Sequence, residues 1–224
     1  VVLKKITHNI FSLELPEPSS NAYVLLGDSE AAIIDPGICS ERQLDAALTA
    51  VGLSRKDFSR IFLTHSHADH ASNARFFPNA VLRASRETLE KLRKKHPESF
   101  FAEFGVGFFE IPRAEEVVDG QCLKFSGFEL LCLRTPGHVP DSVCFFEKKS
   151  KILFSGDSLF PASLTGSVPR VFYSQGGSDL LRSWQKLEKK CGSAKVLAPG
   201  HGPVSKEVEK DLEESRRAIA GAFL

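Results

Sequence analysis

Ile61-Phe62-Leu63 runs directly into Thr64-His65-Ser66-His67-Ala68-Asp69-His70, so a short apolar run feeds three imidazoles and a carboxylate within six positions. An apolar run of that length reads as a buried strand. Imidazole nitrogen and carboxylate oxygen are donors that zinc, iron and manganese accept. The whole chain holds seven His, so chance crowding is a poor account, and packing gains nothing from three imidazoles in one turn. A fold for this chain has to bring a buried strand to an end at a metal site.

Three further apolar runs end in the same way. Leu130 to Leu133 precedes Thr135-Pro136-Gly137-His138, and Ile152-Leu153-Phe154 precedes Ser155-Gly156-Asp157. Val196-Leu197-Ala198 precedes Pro199-Gly200-His201-Gly202-Pro203. Rigid strand ends can hold ligands from distant parts of the chain at one point, with Gly allowing close backbone approach. Five of the seven His fall in this pattern, whereas His8 and His96 lie in polar surroundings and read as solvated.

The remaining elements follow from turn and cap chemistry. Strands are expected over Asn9 to Leu15, Ala22 to Leu26 and Ala31 to Ile34, the last ending at the Asp35-Pro36-Gly37 turn. Ser40-Glu41-Arg42-Gln43 reads as a capping box opening an amphipathic helix to about Val51, with Gly52 as its stop. Asp69 and His70 open a helix ending before Pro78, Val81-Leu82 is a strand, and Ser85 caps a basic helix. Residues 97 to 120 read as a short amphipathic helix and loop. Their crowded Phe100, Phe101, Phe104, Phe108 and Phe109 suit either core packing or an apolar wall beside the site. Strands return over Cys122 to Phe125, Phe128 to Leu133, Val143 to Phe146 and Ile152 to Phe154. The Gly-, Pro- and Ser-rich loop from Ser158 to Gly177 has the length of a functional loop. Ser178 is expected to cap a helix to about Lys190, and Ser205 a charged terminal helix. Two strand-rich halves, each followed by helices, imply two packed sheets with helices outside.

At 224 residues, 42% hydrophobic and 25% charged, the chain suits one globular α/β domain spanning 1–224. A formal charge of +1 provides no strong field for nucleic acid or anionic membrane, although a local basic strip would still admit nucleic acid. No apolar run reaches the roughly 18 residues of a membrane span, and Val1-Val2-Leu3-Lys4-Lys5 lacks signal-peptide features. A cytoplasmic location is the simplest expectation. Five widely spaced Cys without a C-x-x-C pair argue against a disulfide framework or thiolate zinc site. Cys132 and Cys144 lie in apolar runs and read as small hydrophobes.

His65, His67, Asp69 and His70 match an H-x-H-x-D-H signature, and His138, Asp157 and His201 follow in order. In this the chain resembles the metallo-β-lactamase-fold superfamily, from about Asn21 to Pro203. The resemblance implies an α/β fold: a four-layer αββα sandwich of two mixed sheets, with the site along one edge. It implies that His65, His67 and His138 hold one metal, Asp69, His70 and His201 a second, and that Asp157 bridges both. Asp35 resembles an Asp with which the family orients its ligands. Asn73 departs from the pattern, which often has Gly there. The cofactors implied are two divalent metals, zinc before iron or manganese. Two such metals lower the pKa of a shared water toward about 7 and yield hydroxide at neutral pH, with Asp69 and Asp157 as the catalytic carboxylates.

Within that superfamily His67 argues against flavodiiron-type proteins, and Asp157 against zinc β-lactamases, which commonly use Cys there. Glyoxalase II is close in its ligands. However, Leu159 to Arg170 differs from its Gly-Cys-Gly-Arg-like segment, and about twenty residues follow His201 where glyoxalase II has a helical extension. Phe160 stands where acyl-homoserine lactonases place Tyr. The expectation is a glyoxalase-II-like hydrolase that cleaves a thioester, ester or lactone of a small molecule. The alternatives are a small phosphodiesterase or endoribonuclease, which a basic groove including Arg170, Lys148, Lys149 and Lys151 would support, and a mononuclear iron persulfide dioxygenase. For Arg170 and Tyr173 a surface role weighs at least as much as substrate contact.

Overall fold

The computed structural model describes residues 2–164 and 168–222. Residues 165–167, within the loop singled out above, and residues 1, 223 and 224 lie outside the described residues. The chain divides into two compact units, one running to Val117 with Phe125–Gly127, the other comprising Val118–Lys124 and the chain from Phe128 on.

The first unit is built on a seven-stranded mixed sheet. Its strands are β1 (Val2–Lys5), β2 (Ile10–Glu14), β3 (Asn21–Leu26), β4 (Ala31–Ile34), β5 (Phe58–Phe62), β6 (Val81–Ala84) and β7 (Ala114–Glu116), in spatial order β1 to β7. β1 to β4 form an antiparallel meander, and β4 to β7 are parallel. Parallel neighbours need crossovers, which here carry α1 (Glu41–Thr49), α2 (Ala68–Ala71) and α3 (Arg86–Arg93). The capping box before α1 is complete: Ser40 Oγ accepts from Gln43 N at 3.3 Å, and Gln43 Oε1 accepts from Ser40 N at 3.0 Å. Leu44, Ala47 and Leu48 then share one buried face, the spacing of an amphipathic helix. They close a core with Val24, Ile33, Phe58, Ile61 and Leu89.

The second unit holds a five-stranded mixed sheet of β8 (Cys122–Phe125), β9 (Phe128–Arg134), β10 (Val143–Glu147), β11 (Ile152–Gly156) and β12 (Val196–Pro199), in the order β12-β11-β10-β9-β8. β10 runs antiparallel to both β9 and β11, and β12 runs parallel to β11. The C-terminal ends of β9, β11 and β12 therefore share one edge. α4 (Gly176–Cys191) buries Leu180, Trp184, Leu187 and Cys191 against Leu133, Phe146, Leu153 and Leu197. α5 (Val208–Ala222) adds Leu212 and Ile219. The β10–β11 turn is held by buried Glu147, which accepts from Ser150 N at 2.6 Å and Glu129 N at 3.1 Å.

Four local expectations are corrected. Between 97 and 120 there is no amphipathic helix; a 3-10 turn at Pro97–Ser99 and the edge strand β7 stand there instead. The helix after His70 tightens to 3-10 at Ser72–Phe76, where Ser72 Oγ bonds back to Ala68 O at 2.6 Å. Ser178 lies inside the first turn of α4 and donates to Gln175 O. Ser205 is not the α5 cap; it forms a bridge with Leu197 ahead of that helix. Among the described residues no helix is long and apolar enough to cross a membrane.

Candidate metal centre

In the first unit Asp35 leaves the end of β4 and Thr64 leaves the end of β5, and those strands are parallel neighbours. The carboxylate and the His-rich turn thereby emerge side by side. Asp35 N donates to Phe62 O at 2.9 Å, Gly37 N to His70 O at 3.0 Å, and Ser20 N to Asp69 O at 3.1 Å. These bonds fix the turn's backbone from both flanks. His65, His67, Asp69 and His70 are all buried. The His65 ring lies 4.5 Å from that of His67 and 4.1 Å from that of His70. Asp69 Oδ2 is 3.7 Å from His70 Nε2.

Hydrogen bonds on the far side of the rings set their tautomers. Asp35 accepts from Thr64 N at 2.8 Å through Oδ1. Its Oδ2 accepts the Thr64 hydroxyl at 2.6 Å and lies 2.9 Å from His70 Nδ1. A carboxylate only accepts, so His70 carries its proton on Nδ1 and keeps the Nε2 lone pair. Since the Thr64 proton is directed at Asp35, Oγ1 accepts from His65 Nδ1 at 3.1 Å. His65 is then also left with a basic Nε2. Partners of this kind raise ligand basicity and fix ring direction. Asp35 thus fixes the direction of the His70 ring directly and that of His65 through Thr64. The intervening Thr64 had no signal in the sequence beyond its place before the first His. Nearby, burial drives the Tyr23 phenol well above its ordinary pKa against an opposing bond to Asn21, with the Asp35 charge adding to the rise.

Asn73 is fully buried and does more than pack the following helix. Its amide donates to Pro36 O at 3.1 Å and Cys39 Sγ at 3.2 Å, and its Oδ1 accepts from Cys39 N at 3.2 Å. It ties the turn after Asp35 to the segment after His70.

In the second unit the three strand ends deliver His138, Asp157 and His201. Oδ2 of Asp157 lies 3.5 Å from His138 Nε2 and 3.8 Å from His201 Nε2, so one carboxylate oxygen stands between two imidazoles. Gly200 N donates to Gly156 O at 2.8 Å, which pins the ends of β11 and β12 together. His138 Nδ1 donates to the carbonyl oxygen of Arg170 at 2.6 Å. A carbonyl only accepts, which again leaves Nε2 basic. Gly137 is required beside it, because a Cβ there would stand 2.3 Å from the Leu180 side chain of α4.

Residues 170–173 lie against His138. Phe172 N donates to His138 O at 3.1 Å, and its ring meets the His138 imidazole edge-on at 5.1 Å. The exposed Arg170 guanidinium lies over the Phe172 ring at 5.2 Å. Tyr173 donates to Asp179 Oδ2 at 2.8 Å, and burial followed by that carboxylate raises its pKa. Tyr173 is thereby tied to the start of α4. Lys148, Lys149 and Lys151 precede β11 while Asp157 follows it. A five-residue strand, about 16 Å long, separates them from the ligand edge, so they do not line a groove with Arg170 there. His8 is exposed, and His96 Nδ1 accepts from Glu98 N at 3.4 Å.

The first unit offers three buried imidazoles and the carboxylate of Asp69, and the second offers buried His138 and Asp157 with half-buried His201; the three imidazoles with assigned tautomers present Nε2. That chemistry fits a divalent metal. The family model described as the metallo-beta-lactamase superfamily matches residues 15–204. The chain belongs to the metallo-β-lactamase superfamily.

Its relatives in that superfamily include an atrochrysone carboxyl ACP thioesterase of Aspergillus fumigatus. The two are 29% identical over 201 residues, which is 87% of this chain and 54% of the fungal protein. A hydroxyacylglutathione hydrolase of Haemophilus influenzae is 31% identical over 186 residues, 80% of this chain and 84% of that protein. The chain thus spans little more than half the length of the fungal relative. A metallo-beta-lactamase family protein from Thermus thermophilus superposes with a TM-score of 0.79 at 24% identity, covering 96% of this chain and 81% of that one. Its fold is the α/β fold of two mixed sheets with helices described above.

Proposed function

We propose that the chain is a metal-dependent hydrolase that cleaves a thioester, ester or lactone of a small molecule. In this reading both units belong to one metallo-β-lactamase-fold domain and contribute to one dinuclear centre. His65, His67 and His138 would hold the first metal and Asp69, His70 and His201 the second, with Asp157 serving both. The observation that carries the reading is the donor set: imidazoles with Nδ1 already engaged, and a carboxylate oxygen between the two Nε2 atoms of the second unit. Each unit alone is short of a two-metal ligand set, which supports joining them. A thioesterase and a hydroxyacylglutathione hydrolase among the relatives support acyl transfer to water.

Bound zinc, the favoured metal over iron or manganese, would act as a Lewis acid and bring the pKa of water toward about 7. Around it the protein's own groups bind, orient and exclude solvent. Asp35 and the Arg170 carbonyl hold the imidazoles in the basic tautomer. Asp69 offers a buried carboxylate that can accept a hydrogen bond from the attacking water and direct its lone pair at the carbonyl. No Ser or Cys nucleophile is required.

Metal analysis of the protein as isolated, followed by assay of that same sample on thioester, lactone, lactam and phosphodiester substrates, tests the reading. Two divalent ions per chain and turnover of acyl substrates are expected. Phosphodiester cleavage with a steep salt dependence, or a single iron with oxygen uptake on a persulfide, would replace it.

A further inference from the structure

The Phe-rich stretch of the first unit divides into two roles. Phe101 is buried, stacks on Phe108 with ring centroids 4.2 Å apart, and meets Phe109 at 6.1 Å. Phe104, Phe108 and Phe109 pack on the unit's core. Phe100 does something different. It caps the 3-10 turn at φ 58° and ψ 22°, and its half-buried ring meets the His67 imidazole edge to face at 4.9 Å.

Left-handed backbone disfavours any bulky residue and is the natural place for Gly. Holding a Phe there has a local cost that core packing does not require, since four neighbouring rings already fill that role. What the conformation achieves is an apolar face beside an imidazole of the ligand set.

We infer that Phe100 is the wall against which the substrate's acyl group rests. The substrate class is then a thioester or ester whose acyl part is a medium-chain or aromatic hydrocarbon and not one of acetyl size. This rests on the hydrolase reading above. The thiol half of a biological thioester is a polar, hydrogen-bonding arm, so an apolar wall discriminates on the acyl half. Added methylenes against such a wall each raise transition-state binding, by tenfold or more when fully buried.

Wild type, Phe100→Gly and Phe100→Leu would be compared on acetyl and octanoyl thioesters of one thiol, after their metal contents have been matched. Gly suits the left-handed backbone, so the chain is expected to fold without the ring. Wild type should prefer octanoyl by about tenfold or more in kcat/KM. Phe100→Gly should lose that preference, mainly through a raised KM for the octanoyl substrate, and Phe100→Leu should retain most of it. An equal loss on both substrates, or no octanoyl preference in wild type, would overturn the wall and leave Phe100 as packing for His67. Calorimetry of octanoate and acetate binding separates this from the hydrolase reading. If wild type cleaves neither thioester and no lactone or ester either, that reading fails, and tighter octanoate binding that Phe100→Gly abolishes would still uphold the wall. Equal binding of the two acids would sink it.

Discussion

Oδ2 of Asp35 lies 2.9 Å from Nδ1 of His70 and 2.6 Å from the hydroxyl of Thr64. One carboxylate oxygen thus sets the proton position on His70 directly and on His65 through Thr64. Asp35 itself sits at φ 48°, a left-handed conformation that Asp and Asn tolerate better than other side chains.

Asp35→Asn keeps shape and backbone tolerance but removes one acceptor. Metal affinity, measured by competition with a chromophoric chelator, is expected to fall by about 10- to 100-fold, with an unchanged far-UV circular dichroism spectrum. Affinity equal to wild type would mean that the imidazoles hold their tautomers without Asp35.

Asn73→Gly removes three side-chain hydrogen bonds, one buried and two half-buried. Pro36 O and Cys39 N would lose their partner, so urea denaturation should register a loss of about 1–3 kcal/mol. A variant as stable as wild type would show that the turn after Asp35 is held by its backbone bonds alone.

The thiols carry a pH prediction. Burial pushes Cys132 and Cys191 up to about 12, the neighbouring Cys144 adding to the rise in each. Their folded values lie above that of an unfolded thiol, near 8.5. The protonated thiols therefore contribute their stability in full below about pH 8.5 and lose it as pH rises toward about 12. At pH 8 a thiol reagent is expected to label Cys39 and Cys122 first, with Cys132, Cys144 and Cys191 reacting after unfolding. Prompt labelling of all five in the native protein would contradict this burial.

The strands and the His- and Asp-bearing turns at their ends were legible because both depend on near neighbours in sequence. Ile61-Phe62-Leu63 and Val196-Leu197-Ala198 are short apolar runs bounded by turns, and the Ser40–Gln43 capping box is entirely local. Ser178 and Ser205 misled for a related reason: cap chemistry is necessary for a start but does not say which nearby residue begins the helix. The stretch from 97 to 120 was opaque because its conformation is set by remote partners. β7 exists through its pairing with β6, and Phe100 meets His67 from a left-handed backbone position of its own. The Arg170 carbonyl that holds His138 carries no side-chain signal at all. Asp35 looked like ordinary turn chemistry before Pro-Gly, and only the parallel pairing of β4 and β5 brings it to Thr64 and His70.

Central to the proposed function is that the ligands of both units serve one reaction. The decisive measurement is kcat/KM of His67→Ala and Asp157→Ala beside wild type on the thioester or lactone that wild type cleaves best, with metal content determined on the same samples. The expected result is two divalent ions per chain in wild type, fewer in each variant, and a loss of at least about a hundredfold in kcat/KM for both, with His8→Ala unaffected. Full activity in either His67→Ala or Asp157→Ala would contradict the dinuclear hydrolase.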